Sequence, residues 1–219
     1  MKNLLLKEFK LCFSVVNYIF LLFAVMVLIP NYPCYVSFLY LVLNCFLLFK
    51  NTDLNKDLQY SLILPIKKSD IVKARCFSIG LYEIIFILLS IPFAILNIKL
   101  FPWGNNAGII PNFAFYGFVL IMISVCHYIF FTIYYKKAEK HDKAFFITLL
   151  FYIILFFIFE FPVWMVYSRN LQELNFLVKS DFISLLKQLP ILIFGIIFYI
   201  LGWILTYKVS AKRFDKVNL

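Results

Sequence analysis

Six long apolar runs, each close to the length of a membrane-spanning helix, constrain this chain more than any other feature. A bilayer core about 30 Å thick takes roughly 20 residues of α-helix, or about 17 at the short end. Runs of that size without Lys, Arg or Asp occupy residues 11–29, 33–49, 77–96, 113–135, 144–167 and 189–207. Alternating β-barrel patterning is absent, and a helix satisfies its own backbone groups in hydrocarbon. The sequence therefore predicts an all-α membrane protein with six transmembrane helices in a single domain, residues 1–219.

The charged residues lie between these runs and predict the orientation of the chain. Hydrophobic residues make up 64% of the sequence and charged residues 15%, and 21 Lys and Arg give a formal net charge of +10. Six spans place both termini on one side of the membrane. The segments on that side, 1–10, 50–76, 136–143 and 208–219, hold 17 of the 21 basic residues. The positive-inside rule therefore predicts that both termini are cytoplasmic.

Several function classes are disfavoured by composition and motif. The basic residues flank spans and form no stripe with base-stacking aromatics, so we expect no nucleic-acid partner. The five cysteines are isolated, odd in number and form no CxxC, which predicts neither a disulfide framework nor a metal site. The chain has no HExxH, and no base stands at helical spacing from Ser90 or Ser124. We therefore expect no intramembrane catalysis and no cofactor.

The N-terminal segment, residues 1–10, has the composition of a helix at the membrane surface. Its Leu and Phe side chains can sink into the surface while Lys2, Lys7 and Lys10 face anionic headgroups. No small-residue cleavage site follows the first apolar run, so no removable signal peptide is predicted. The alternative is an ordinary charged flank on the first span.

The connection between the second and third spans, residues 50–75, is a compact charged interruption of the apolar sequence. Thr52 is expected to N-cap a short helix with Asp53 in its first turn. Apolar or small residues then recur at helical spacing, namely Leu54, Leu58, Ser61 and Leu62. This pattern predicts a short amphipathic helix across the cytoplasmic face.

Pro65 is expected to end that helix, and Ser69 with Asp70 begins the helix that rises into the third span. Such a helix, turn and helix either transmits force from a soluble partner to the membrane domain or is a plain solvated connector. The residue pattern alone leaves both interpretations open.

The run YSLILPIKKSDIVKAR, residues 60–75, resembles a stretch of ABC-2 type transporter permeases. In that family the connection between spans two and three also contains a Leu-Pro pair, then basic residues, then an acidic residue followed by Ile-Val. The six-span layout, the basic N-terminal segment, the polar insertion before span six and the basic tail are similar to the family as well. The resemblance covers essentially the whole chain.

The resemblance implies a permease subunit that pairs with a second copy or a similar permease and docks cytoplasmic ABC ATPase subunits. It places the ATPase-coupling helix at residues 53–62, with apolar side chains filling an ATPase groove and Asp53 and Asp57 pairing with its basic residues. The coupling residues are Asp53, Leu54, Asp57, Leu58, Tyr60, Ser61, Leu62 and Pro65. Because the chain has no GxxxxGK[ST] motif, ATP and Mg²⁺ are expected on the partner.

Polar residues inside the spans mark a candidate substrate pathway. They are Asn17, Asn44, Glu83, His127 and Glu160. Glu83 and Glu160 either face a cleft that attracts a cationic substrate or are structural, paired with a neighbour such as His127 or Asn17. His127 is more typical of a hydrogen-bonded core histidine than of a ligand. Asn17 and Asn44 are typical of interhelical hydrogen bonding.

The predicted function is the membrane-spanning subunit of an ATP-driven exporter. Hydrophobic or amphipathic cargo is expected, because the spans offer apolar faces and few fixed charges. Small permeases of the resembled family export amphipathic cytolytic peptides such as phenol-soluble modulins, bacteriocins or peptide antibiotics, which implies a part in antimicrobial resistance. The Phe, Ile, Lys and Asn bias indicates a bacterial chain, and hence the bacterial plasma membrane with its lipid as a partner.

Two alternatives belong to other classes. A stand-alone immunity or sensor protein could sequester a toxic peptide without any ATPase. The substrate-binding membrane module of a vitamin importer also has about six helices, but its first span usually carries a small-residue face. Residues 11–29 contain one Ala and no Gly, which disfavours this second alternative.

Overall fold

The chain is helical through almost all of the residues that its computed structural model describes, which are 2–63, 65–136, 141–169 and 172–217. Eight α-helices lie in these ranges: α1 (Lys2–Lys7), α2 (Val15–Ile19), α3 (Tyr35–Leu54), α4 (Asp57–Ile63), α5 (Lys68–Leu100), α6 (Phe113–Tyr134), α7 (His141–Arg169) and α8 (Phe182–Asp215). A π-helical turn, Glu8–Cys12, continues α1, a 3₁₀ helix, Phe20–Leu28, continues α2, and another covers Gln172–Leu177. The all-α prediction is confirmed, with 84% helix and no strand in these ranges.

Five helices of the described chain, α3, α5, α6, α7 and α8, are long and apolar enough to cross a membrane. Each overlaps one of the five predicted spans between residues 33 and 207. A sixth span exists if the bent pair Asn3–Cys12 and Val15–Leu28 is counted as one. The protein therefore has the character of a multi-pass membrane protein with five or six spans.

The prediction of one continuous helix over residues 11–29 is wrong. The segments Asn3–Cys12 and Val15–Leu28 meet at 89°, and the chain turns at Phe13 and Ser14. The Ser14 N–H donates to Asn17 Oδ1 at 2.7 Å, so a backbone group freed by the break is satisfied by a side chain of the new helix. A right angle at this point is the geometry expected of a surface helix that precedes a span.

The helix α6 lies between α7 and α8 and packs most extensively on α8. Two glycines permit the close approach of α6 and α8. A Cβ atom on Gly195 would lie 2.8 Å from Gly117 Cα, and one on Gly117 would lie 2.6 Å from the Ile191 carbonyl oxygen. Neither distance leaves room for a side chain, because the neighbour is backbone in both cases. The two helices therefore pack backbone against backbone, as small residues allow in membrane bundles.

The helices α5 and α8 extend beyond the predicted spans 77–96 and 189–207. They have 33 and 34 residues, or about 50 Å each at about 1.5 Å per residue. Asp181 caps α8, accepting from the Ser184 hydroxyl at 2.7 Å and the Ser184 N–H at 3.2 Å. These hydrogen bonds lower the pKa of Asp181, because they favour its carboxylate. Both helices therefore project past a bilayer core.

Both ends of the chain contact the connection between α3 and α5. Lys7 Nζ lies 2.8 Å from Asp57 Oδ1, and Lys68 Nζ donates to the Val217 carbonyl at 2.7 Å. Arg213 of α8 donates to the Thr132 carbonyl near the end of α6. We call this region, formed by the last turn of α3, α4, the first turns of α5 and the last turns of α6 and α8, the basic end.

Candidate functional site

The α3–α5 connection begins later than the sequence pattern indicates. The helix α3 runs through Leu54, and α4 begins at Asp57. Thr52 lies inside α3, where its hydroxyl donates to the Leu48 carbonyl at 2.9 Å. The prediction that Thr52 caps the short helix, with Asp53 in its first turn, is therefore wrong. No Gly or Pro interrupts α3 after Lys50, and the helix is capped at Asn55, after which Lys56 turns the chain with a left-handed backbone (φ 52°).

Arg75, in the second turn of α5, is fully buried and joins four segments of the basic end. Its Nε and Nη2 donate to the two carboxylate oxygens of Glu8, the second at 3.2 Å. Nη1 donates to Thr52 Oγ1 at 2.9 Å, and Nη2 donates to Asp57 Oδ2 at 3.2 Å. The guanidinium also lies 5.3 Å from the centroid of the Phe49 ring. A planar five-donor group suits such a site, because one side chain reaches partners in several directions.

Lys7 completes the network from the N-terminal helix. Its ammonium pairs with Asp57 Oδ1 and donates to Ser61 Oγ, while the Ser61 hydroxyl donates to the Asp57 carbonyl at 2.7 Å. Two carboxylates, Glu8 and Asp57, thus meet two cations, so the cluster is neutral. A buried ion pair holds only when its geometry satisfies the remaining donors and acceptors, as it does here. Lys7 therefore does not face the headgroups as predicted.

The same cluster contains the one grouping within the described ranges whose atoms are spaced to hold a metal ion: Glu8, Cys12 and Asp57, with ligand atoms within 4.8 Å of one another. Arg75 Nη2 already donates to Cys12 Sγ at 3.3 Å and to both carboxylates. A cation placed there would have to displace a buried guanidinium. The donor set fits an internal ion-pair network better than a metal centre. We call these residues, with Lys7, Thr52, Ser61 and Arg75, the arginine cluster.

Apart from Asp53, the coupling residues expected from the family resemblance divide into two groups. Asp57, Leu58 and Ser61 are buried, with Asp57 8% and Leu58 6% exposed. Asp57 pairs with Lys7 and Arg75 of its own chain, and Leu58 belongs to the hydrophobic core. These three therefore face inward rather than toward a partner. The sequence pattern did not predict this inward orientation, because the segments that pack on a short helix determine which of its faces is buried.

The second group faces outward. Leu54 and Tyr60 are exposed, as is Pro65, while Leu62 is half-buried and packs against the core. Ile63, which the sequence pattern did not single out, is 80% exposed. Tyr60 and Ile63 are three residues apart on α4 and so share one face of the helix. Among the described residues of this connection, the most exposed large apolar side chains are Leu54, Tyr60 and Ile63, which we call the outer face.

Asp53 connects the end of α3 to two other helices. Its Oδ1 accepts from the Tyr134 hydroxyl of α6, and its Oδ2 lies 2.8 Å from His141 Nδ1 at the start of α7. Asp53 is half-buried by these contacts. The pairing expected between Asp53 and basic residues of a partner is thus replaced by contacts inside the chain.

The polar residues inside the spans occupy three separate places and form no single pathway in the described structure. Asn17 Nδ2 donates to Asn44 Oδ1 at 2.8 Å, which joins α2 to α3. Tyr82 of α5 adds a third helix, because its hydroxyl donates to the Asn17 carbonyl at 2.7 Å. The prediction of interhelical hydrogen bonding by Asn17 and Asn44 is confirmed.

Glu83 and His127 lie together in the middle of the bundle. Glu83 Oε2 accepts from the Tyr199 hydroxyl at 2.8 Å and lies 3.7 Å from His127 Nδ1. The His127 ring stacks on Trp203 at 3.9 Å between centroids, and neither ring nitrogen has a hydrogen-bond partner among the residues that the structure describes. A cavity of about 10 Å³ lined by Glu83 and His127 has about the room that one water needs. The expected core hydrogen bond of His127 is therefore made by no protein atom in the described part of the chain.

Glu160 holds the loop that follows α5. Both of its carboxylate oxygens accept from the Ile109 N–H, at 3.0 and 3.3 Å. Gly108 is required beside it, since a Cβ atom there would lie 2.7 Å from Glu160 Cδ. Glu160 is fully buried, and this arrangement gives it a structural partner in the backbone. Of the two interpretations left open for Glu160, the structural one matches its contacts.

The residues of the arginine cluster that sequence reasoning missed are Lys7, Glu8, Cys12, Thr52 and Arg75. One signal was present: Glu8 is the only acidic residue before Asp53 and stands among basic residues beside an apolar run. Comparison with known proteins adds no relative to this picture, since no family model, no curated protein and no solved structure matches the chain.

Proposed function

We propose that this chain is the membrane-spanning permease subunit of an ATP-driven exporter of the ABC-2 type. The observation that carries the proposal is the outer face at the basic end. Leu54, Tyr60 and Ile63 are 71%, 66% and 80% exposed in a segment that the charge distribution assigns to the cytoplasm. Apolar side chains that stand in water mark a binding surface for another protein.

The arginine cluster supports the same proposal, because it ties the outer face to the bundle. Asp57 is the first residue of α4, and its carboxylate is held by Lys7 of α1 and Arg75 of α5. A partner that moves α4 therefore acts on the N-terminal helix and on α5 together. Such a link is what a permease needs if a separate ATPase is to drive its conformational change.

Cargo and assembly follow from the surface of the spans. The exposed side of α7 carries Phe146, Phe157, Phe161 and neighbouring Ile and Leu residues. We propose a dimer of this chain, or a pair with a similar permease, that exports hydrophobic or amphipathic molecules such as peptides across a bacterial plasma membrane. ATP and Mg²⁺ are assigned to the partner ATPase, and no cofactor is assigned to this chain.

The test is co-purification of an ABC ATPase with the tagged chain from native membranes in a mild detergent. Tyr60→Asp and Ile63→Asp place a charge in the outer face, and each is expected to reduce the recovered ATPase at least tenfold, since a central apolar contact contributes about 2 kcal/mol. Trp103→Asp is the matched control. Trp103 is also exposed and apolar, at 65%, but lies in the loop after α5, so its change is expected to leave recovery unaltered.

Wild-type chain that carries no ATPase would contradict the proposal and favour the stand-alone immunity or sensor protein. If both Tyr60→Asp and Ile63→Asp retain the ATPase at the wild-type level, the chain is still a permease subunit, but its docking surface is not the outer face.

A further inference from the structure

A groove between α5, α6 and α8 lies at the end of the bundle opposite the basic end. Its volume is about 490 Å³, within the range of about 300–1,000 Å³ that small-molecule sites occupy. The walls are apolar, with Ile91, Ile95 and Ala94 from α5, Leu120 from α6 and Ile196 from α8. Ile91, Ile95 and Ile196 are partly exposed, so the groove opens to the surroundings of the bundle.

The length of the groove matches one leaflet of a bilayer. Along α5 its lining extends from Ile87 to Lys99, which is about 18 Å at about 1.5 Å per residue. Half of a bilayer core is about 15 Å. An extended acyl chain can therefore lie along the whole groove.

A polar cavity adjoins the groove where α5 ends. Its volume is about 220 Å³, and it shares Ile98 and Ser180 with the groove. Lys99 lines the groove, and Lys179 lines the polar cavity. Neither lysine forms an ion pair with any residue that the structure describes.

The one acidic residue lining the polar cavity is Asp181, and its carboxylate accepts both of its hydrogen bonds from Ser184 as the cap of α8. Lys99 and Lys179 against the single carboxylate of Asp181 leave this end of the groove with a net positive charge, which is complementary to an amphiphile with an anionic head. We propose that this groove binds one acyl chain of an anionic membrane phospholipid, with the headgroup in the polar cavity between Lys99 and Lys179. The site depends on the membrane character of the chain and not on the proposed export function.

The test is native mass spectrometry of the full chain, purified in a neutral detergent and supplied with phosphatidylglycerol or phosphatidylcholine. The wild type is expected to retain one phosphatidylglycerol per chain and to retain phosphatidylcholine at least tenfold less well. Lys99→Gln and Lys179→Gln are each expected to weaken retention about fivefold, since a basic residue near an anionic headgroup contributes about that factor. Lys187→Gln, another exposed lysine at this end that lines neither cavity, is the control.

A second pair of variants tests the groove itself. Ile95→Trp fills the groove and is expected to abolish retention of the lipid. Leu96→Trp adds the same bulk at the neighbouring exposed position, which does not line the groove, and is expected to leave retention unchanged. Equal retention by Ile95→Trp and the wild type would overturn the proposal, as would equal retention of the two lipids. If Ile95→Trp loses a dimer while its lipid retention is unchanged, the groove binds a second copy of the chain, and the lipid proposal is also overturned.

Discussion

Arg75 Nη2 lies 3.2 Å from Asp57 Oδ2, so the guanidinium near the start of α5 contacts the carboxylate that opens α4. Glu8 and Lys7 add an anion and a cation from the N-terminal helix. The N-terminal helix, α4 and α5 are thereby held together by one neutral set of charges, of which Arg75, Glu8 and Asp57 are buried. Removal of one of these charges costs more stability than removal of a charge from a surface ion pair, because it leaves a buried charge without a partner.

Arg75→Ala is expected to destabilise the protein by about 3–5 kcal/mol, because Glu8 and Asp57 lose their shared partner in a buried site. The midpoint of thermal unfolding in detergent measures this change. Lys73→Ala, at an exposed position on the same helix, is the control and is expected to stay within about 0.5 kcal/mol of the wild type. Equal midpoints for Arg75→Ala and Lys73→Ala would show that the cluster contributes nothing to stability.

Leu58→Ala and Tyr60→Ala separate the inner and outer faces of α4. Leu58 belongs to the hydrophobic core, so its truncation is expected to cost about 2–5 kcal/mol. Tyr60 is exposed, so its truncation is expected to change stability by less than about 0.5 kcal/mol. The midpoints of thermal unfolding of the two purified variants measure these effects. The reverse order of the two effects would mean that α4 is rotated relative to the position described above.

Gly195→Leu is expected to separate α6 from α8. The new side chain would begin 2.8 Å from Gly117 Cα, and backbone cannot move aside without shifting a helix. We expect a loss of monodisperse protein in size-exclusion chromatography and a lower unfolding midpoint. Ile197→Phe adds bulk at an exposed position of the same helix and serves as the control. A Gly195→Leu chain as stable as Ile197→Phe would contradict backbone contact between these helices.

Asp181 predicts a dependence of stability on pH. Hydrogen bonds from Ser184 lower the pKa of Asp181 below its ordinary value of 3.8, so the carboxylate stabilises the folded state above that value. The contribution is lost as the pH falls through the lowered pKa. Asp181→Asn keeps a capping side chain that does not titrate. We therefore expect the unfolding midpoint of the wild type to fall relative to that of Asp181→Asn below about pH 4, and a constant difference would refute the assignment.

The long spans could be predicted from the sequence because hydrocarbon thickness sets their length directly. Within α5, α6, α7 and α8 the apolar runs 77–96, 113–135, 144–167 and 189–207 carry that signal. The break at Ser14 could not be predicted in the same way, since residues 11–29 are apolar on both sides of it. A single cap, made by Ser14 and Asn17, decided where that helix begins.

The arginine cluster could not be predicted from local sequence patterns, for a different reason. Glu8 and Arg75 are 67 residues apart, and no periodicity within either segment relates them. Asp57 pairs with Lys7 and Arg75, so Asp57 and Leu58 face inward and Tyr60 and Ile63 face outward. The charged interruption between two apolar runs located the connection in the chain, but its residue pattern carried no information about which of its side chains are exposed.

Because α5 is one continuous helix, a tilt at one end of the molecule moves the other end. Arg75 and Leu100 belong to one helix, and the 25 residues between them span about 37 Å at about 1.5 Å per residue. A tilt of about 5° with its pivot at Arg75 would swing Leu100 through about 3 Å, by the same dimensions. Pro92, which lacks a backbone donor, is the point on this arm that resists bending least. Small displacements at one membrane surface are thus magnified at the other.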